Sequence, residues 1–128
     1  MEARLILYEN YRKINSSFTG YLYHDFLFNN YAYHALCDSI EELARISPAD
    51  GTLLRQIHRI YSDILYFFCE NEEGIHFDDQ SMKEYEKKWK EEWEMDLSKM
   101  SCLTLVMETL NPLEGAVDRY IETFGDGA

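Results

Sequence analysis

Apolar residues recur along this chain with the period of an α-helix, and the longest such pattern covers residues 81–110. At about 100° per residue, its apolar positions fall on one stripe roughly 140° wide. The stripe consists of Met82, Tyr85, Trp89, Trp93, Leu97, Met100, Leu103, Met107 and Leu110. Ser81 and Glu84 form a capping box at its start, and Pro112 disfavours helix at the preceding residue. The pattern therefore predicts one long helix over Ser81–Leu110.

Shorter patterns predict helices on either side of it. They cover Glu2–Ile14, Phe18–Ile46, the residues after Ser47–Asp50, and Pro112–Phe124. Asn favours turns and caps, so Asn29-Asn30 is a candidate break in the second segment, and one helix or two both stay open. No strand pattern is present. We therefore predict an all-α fold, a single-domain bundle of five or six helices over residues 1–128.

The same patterns predict which side chains are buried. In the segment after Ser47-Pro48-Ala49-Asp50, Ser47 is the predicted N-cap and Pro48 the first helical residue, while Asp50 complements the helix dipole. The predicted buried face there is Leu53, Ile57, Ile60, Tyr61, Ile64, Phe67 and Phe68. For the first and last helices it is Ala3, Leu7, Tyr11 and Ile14, and Leu113, Val117, Tyr120, Ile121 and Phe124.

Charge is distributed unevenly along the chain. The sequence holds 24 acidic and 12 basic residues, for a net charge of -12. Residues 70–96 alone hold eleven acidic and four basic residues, a net charge of -7. A chain of this sign repels nucleic acid and anionic membranes and attracts basic proteins. We therefore expect a basic protein surface as partner, with no direct nucleic-acid binding and no membrane association.

This acidic segment also contains aromatic residues, which anchor protein interfaces while charges steer the encounter. Whether Tyr85, Trp89 and Trp93 belong to the core or to an interface stays open. The predicted partner-binding residues are Glu72, Glu73, Asp78, Asp79, Tyr85, Trp89, Glu91, Glu92, Trp93 and Glu94. They favour a small acidic protein-binding module, an inhibitor or immunity-type protein that occupies a basic surface of a partner such as a nucleic-acid-acting enzyme.

Two alternatives use other features. The first is a small helical enzyme or ligand-binding bundle. In it, Asp25, predicted on the buried stripe, acts as a general base, or the His34/Asp38 face binds a ligand. The second is a structural subunit of a homo-oligomer. We assign no catalytic residue and no cofactor. We also assign no metal site, because a di-metal carboxylate bundle needs two Glu-x-x-His pairs and only Glu73 to His76 has that spacing.

The cysteines predict a reducing environment. Cys37, Cys69 and Cys102 are odd in number, far apart and without a C-x-x-C motif, so we expect buried free thiols and no disulfide. The chain shows no signal-peptide pattern and no apolar run of about eighteen residues. Together these features predict a cytoplasmic protein.

Overall fold

The computed structural model describes residues 2–71, 75–78 and 108–125. They form the helices α1 (Ala3–Tyr11), α2 (Phe18–Asp25), α3 (Asn30–Ile46), α4 (Gly51–Asn71) and α5 (Asn111–Gly125). Two strands of two residues each, β1 (Leu27–Phe28) and β2 (His76–Phe77), pair in parallel. The predicted all-α fold is confirmed, and this short pairing is an addition that no periodic pattern indicated.

The predicted helix Ser81–Leu110 lies outside the described residues except at its end. Residues 108 and 109 are helical, Leu110 lies in a turn, and α5 begins at Asn111. Pro112 is thus the second residue of α5, where its missing N–H group costs no intrahelical hydrogen bond. The turn lies where the Asn-Pro pair predicted a helix end.

The segment Phe18–Ile46 is broken into two helices. Phe26 follows α2 in the left-handed conformation, with φ 52° and ψ 34°, and β1 comes next. The side chain of Asn29 then accepts a hydrogen bond from the Ala32 N–H at 2.9 Å and caps the start of α3. The chain therefore leaves the helical path at Phe26, three residues before the asparagine pair that suggested a break.

A buried polar cluster fixes the corner between α1 and α2. Asn10, only 2% exposed, accepts a hydrogen bond from the Thr19 N–H at 3.0 Å through Oδ1. The Thr19 hydroxyl donates to the Asn10 carbonyl oxygen at 2.6 Å. Ser17 Oγ donates to the Ile14 carbonyl oxygen at 2.6 Å and accepts from the Gly20 N–H at 3.0 Å, which caps α2. The polar groups that this corner buries are thus paired with one another.

The start of α4 differs from the prediction, because Asp50 is the N-cap and Ser47 is not. Asp50 Oδ1 accepts from the N–H groups of Thr52 at 2.9 Å and Leu53 at 3.2 Å. Ala49 has a positive φ of 54°, so the chain reverses before the helix begins. Tyr120 of α5 holds this turn, since its hydroxyl donates to the Ser47 carbonyl oxygen at 2.7 Å.

The core lies where α1 and α5 each pack against α3 and α4. An aromatic cluster forms part of it: the Phe28 ring lies 5.0 Å from Phe18, 4.8 Å from Tyr33 and 5.9 Å from Phe68, between ring centroids. The predicted face of α4 is buried, with Tyr61 only half-buried. Each fully buried Leu, Ile or Phe contributes about 1.5–3 kcal/mol to folding, so α4 supplies much of the stability.

Besides Asp25, five side chains predicted to be buried are exposed. Ile14 leaves the buried side because α1 ends at Tyr11 and Lys13 adopts a φ of 55°. In the last turn of α1, Asn10 is buried in place of Tyr11. In α5, Ala116 completes a narrower buried stripe. The exposed side chains are Tyr11, Ile14, Cys69, Ile121 and Phe124. Cys37 is buried as predicted, and Cys102 lies outside the described residues.

Candidate functional site

Of the ten predicted partner-binding residues, Asp78 is the one that the structure describes. The others lie outside the described residues, so their assignment to a partner surface stays a prediction. They are Glu72, Glu73, Asp79, Tyr85, Trp89, Glu91, Glu92, Trp93 and Glu94.

Asp78 is exposed and joins the end of β2 to the start of α3. Its Oδ1 atom accepts a hydrogen bond from the Asn30 N–H at 2.9 Å, and its own N–H donates to the Phe28 carbonyl oxygen at 3.3 Å. The N–H of His76 donates to the Phe26 carbonyl oxygen at 2.8 Å, and Ile75 is buried. A carboxylate at a helix start satisfies an orphan donor and complements the helix dipole, so Asp78 has a structural role whether or not it contacts a partner.

Asp25 does not occupy the position that the enzyme alternative requires. The structure places it on the surface at the last residue of α2, whereas the sequence pattern put it on a buried stripe. The prediction failed because it assumed an unbroken helical phase, and the left-handed Phe26 ends that phase directly after Asp25. Without burial, the argument for Asp25 as a general base loses its basis.

His34 and Asp38 are exposed on α3. On the same helix, Glu41 forms an ion pair with Arg119 of α5, and Glu42 lies 3.5 Å from the Arg45 guanidinium. Within residues 2–71, 75–78 and 108–125, no cluster of three or more His, Cys, Asp or Glu side chains is placed to hold a metal ion. The exposed side of α3 is thus a solvated surface with ion pairs at its edge.

Cys37 lies on the buried side of α3 and is not a candidate nucleophile. Burial raises the pKa of Cys37 to about 12, so its thiol is protonated at neutral pH. Burial also raises the pKa of the neighbouring Tyr33. The Tyr33 hydroxyl donates to the Thr109 carbonyl oxygen at 3.2 Å and accepts from the Leu113 N–H at 3.2 Å. Both groups therefore have structural roles.

A groove of about 330 Å³ opens between the end of α1 and the first turns of α4. It is lined by Tyr11, Thr52, Arg55, Gln56 and Arg59. The lining contains hydrogen-bond donors from two guanidinium groups and an amide, two hydroxyl groups and no carboxylate. Such a set favours an anionic group. The sequence pattern did not predict this groove, although Arg55 and Arg59 are spaced four apart and therefore share a helix face.

The two arginines differ in their partners. Arg59 Nε lies 3.3 Å from the carboxylate of Asp63, which also receives the Lys13 ammonium at 2.8 Å. Arg55 forms no hydrogen bond or ion pair with any part of the chain that the structure describes. Like charges at i and i+4 destabilise a helix by about 0.2–0.5 kcal/mol. The Asp63 carboxylate partly neutralises the charge of Arg59. No described carboxylate pairs with Arg55.

The described residues thus form an all-α bundle, and the candidate sites among them lie on its surface. No protein family, curated protein or solved structure matches it. Across the stretches that the structure covers, no helix combines the length and the apolar character that crossing a bilayer requires.

Proposed function

We propose that this protein is a small acidic protein-binding module, an inhibitor or immunity-type protein that occupies a basic surface of a partner such as a nucleic-acid-acting enzyme. The observation that carries the proposal is the charge of residues 70–96, net -7 from eleven acidic and four basic residues. Exposed Asp78 lies within this segment. A concentrated charge of one sign steers a complementary partner and raises the rate of association.

The proposal includes a cytoplasmic location for this protein. The odd, widely spaced cysteines support a cytoplasmic site of action, because such thiols persist in a reducing compartment. The net charge of -12 supports a protein partner over nucleic acid or an anionic membrane.

The exposed position of Asp25 removes the main support for the enzyme alternative. Sedimentation velocity on the isolated chain distinguishes a monomeric module from the homo-oligomeric subunit.

The test is a pulldown from the native cytoplasm, followed by binding kinetics with the captured partner. Reversing Glu91, Glu92 and Glu94 to lysine is expected to slow association, with little change in the dissociation rate. The effect should shrink as salt rises, because the Debye length falls from about 10 Å at 0.1 M to about 3 Å at 1 M. Unchanged affinity and salt dependence in this triple variant would remove the acidic segment as the binding surface.

A matched control changes the net charge equally at other positions. Glu108, Asp118 and Glu122 are exposed and lie outside residues 70–96, so their replacement by lysine should leave the association rate largely intact. Equal slowing in both triple variants would mean that net charge alone, and no particular surface, governs the encounter.

Trp89→Ala asks whether the aromatic stripe is an anchor. A hot-spot tryptophan costs about 2 kcal/mol or more of binding when truncated. A core tryptophan costs about 3–5 kcal/mol of folding stability instead. Faster dissociation with an unchanged melting temperature supports Trp89 as an interface anchor, whereas a large drop in melting temperature assigns it to the core.

A further inference from the structure

The charge of the chain is divided between two regions of opposite sign. Residues 3–13, which are α1 and the two residues after it, and residues 51–63, the first part of α4, hold five basic and two acidic residues, a net charge of +3. The remainder of the chain holds seven basic and 22 acidic residues, a net charge of -15. The groove of Arg55 and Arg59 lies in the positive region. Within the part of the chain that the structure describes, a protein of net charge -12 thus carries a local positive surface around this groove.

We propose that this groove, together with the exposed face of α1 beside it, binds an acidic peptide segment of a partner protein. Arg55 supplies the first contact, because no described group competes for its guanidinium. An arginine fork binds carboxylates through paired hydrogen bonds. Gln56 and Thr52 add neutral groups to the same groove, so an acidic side chain there meets donors and no lining carboxylate.

Exposed tyrosines favour a peptide over a small anion. Tyr11 lines the groove and is 40% exposed, and Tyr8, one turn earlier on α1, is 44% exposed. The Arg12 guanidinium lies 5.9 Å from the centre of the Tyr8 ring. Tyrosine and arginine are enriched at protein hot spots, where aromatic rings contribute large contact areas. A free phosphate would leave this surface unused.

The remaining charge of the chain favours a short peptide over nucleic acid. A single strand or duplex extends beyond a groove of about 330 Å³, and the net charge of -12 repels its further phosphates. A peptide with a few carboxylates places its charge within the positive region alone. At about 0.1 M salt the Debye length is about 10 Å, so such a peptide interacts mainly with the nearest charges.

The experiment measures fluorescence anisotropy of a labelled peptide, four glutamates around one phenylalanine, with the full chain at about 0.1 M salt. We expect saturable binding that Arg55→Gln weakens about tenfold, as the loss of one charge-assisted contact does. Arg55→Lys keeps the charge but loses the fork, so its affinity should fall between the two. Circular dichroism should show melting temperatures that differ by no more than about 3 °C, because Arg55 has no hydrogen bond or ion pair among the described residues and its repulsion from Arg59 is weak.

Arg45→Gln is the matched control, since Arg45 is a well-exposed arginine on α3 that pairs only weakly with Glu42. It should change the affinity less than about twofold, within the range of exposed ion pairs. The proposal is overturned if the wild-type chain shows no saturable binding, or if Arg45→Gln weakens binding as much as Arg55→Gln. Tighter binding of inorganic phosphate or of an oligothymidylate strand would also overturn it. These residues lie outside 70–96, so either result leaves the proposed function to its own test.

Discussion

Gly20→Ala tests the packing of the corner between α1 and α2, because two effects of opposite sign compete there. Gly20 lies inside α2, where alanine is a better helix former by about 0.5–1 kcal/mol. However, a Cβ atom at this position would overlap the Ile14 carbonyl group and lie 3.0 Å from the Asn15 Cα atom. Helix propensity alone predicts stabilisation, and steric contact predicts the reverse.

The steric term is the larger one. Overpacking a core usually costs about 1–3 kcal/mol, and here the opposing atoms are backbone. The Ile14 carbonyl oxygen accepts from the Ser17 hydroxyl at 2.6 Å and from the Ser17 N–H at 2.8 Å. A displaced carbonyl weakens both bonds, at about 1 kcal/mol for each one lost. We therefore expect Gly20→Ala to destabilise the protein by about 2–3 kcal/mol after the gain in helix propensity.

Gly115→Ala is the matched control, the same substitution inside α5. A Cβ atom there would first meet the flexible Arg119 side chain at 3.5 Å, an ordinary contact. Propensity then acts alone and should stabilise the protein by about 0.5–1 kcal/mol. Urea denaturation followed by circular dichroism measures both variants. A neutral or stabilising Gly20→Ala would refute the description of this corner.

Three further predictions concern the Tyr120 hydroxyl and two cysteines. Tyr120→Phe removes the hydroxyl that donates to the Ser47 carbonyl oxygen at 2.7 Å, and should cost about 1–2 kcal/mol of stability in urea denaturation; an unchanged midpoint would contradict this. Exposed Cys69 should react with a thiol reagent at pH 8 much faster than buried Cys37, as read by peptide mass spectrometry, and equal rates would contradict the burial. Stability should fall as the pH rises above about 9, because burial raises the folded-state pKa of Cys37 to about 12 and the unfolded chain therefore loses the thiol proton at a lower pH. Cys37→Ala should flatten this part of the stability profile.

The buried faces of α3 and α4 could be predicted from the sequence because both helices are long and amphipathic. Over 17 and 21 residues, a stripe with the 3.6-residue period is repeated often enough to fix its direction. Ile57 and Ile64 on α4 are fully buried as predicted, and Leu36 and Ile40, which follow the same period on α3, are fully buried as well. The helices α1 and α2 span 9 and 8 residues, so a single tertiary contact outweighs their periodicity.

Features that depend on distant residues could not be predicted in this way. The burial of Asn10 depends on hydrogen bonds to Thr19, and the pairing of β1 with β2 joins Leu27 to His76 across the whole of α3 and α4. A strand pair of two residues is too short to produce an alternating pattern. The groove at Arg55 likewise needs Tyr11 of α1 beside α4, and that proximity is a property of the packing.

The first turn of α3 joins the two ends of the stretch that runs from Asp78 to Thr109. At its start, Asp78 accepts from the Asn30 N–H at 2.9 Å, and at its end the Thr109 carbonyl oxygen accepts from the Tyr33 hydroxyl at 3.2 Å. Most of the predicted partner-binding residues lie between these points. Any partner that displaces either end therefore acts on the same helical turn, and amide hydrogen exchange of Asn30 and Ala32 should report its binding.

Asp78→Ala tests this arrangement without a partner. Losing a capping carboxylate costs about 1 kcal/mol, and the loss should appear as faster amide exchange confined to the first turn of α3. Asp38→Ala is the control, because Asp38 lies exposed on the same helix away from this turn. If exchange at Asn30 is as slow in Asp78→Ala as in Asp38→Ala, the carboxylate does not hold the start of α3. The start of this stretch would then be joined to the bundle through the backbone hydrogen bonds of His76 and Asp78 to Phe26 and Phe28.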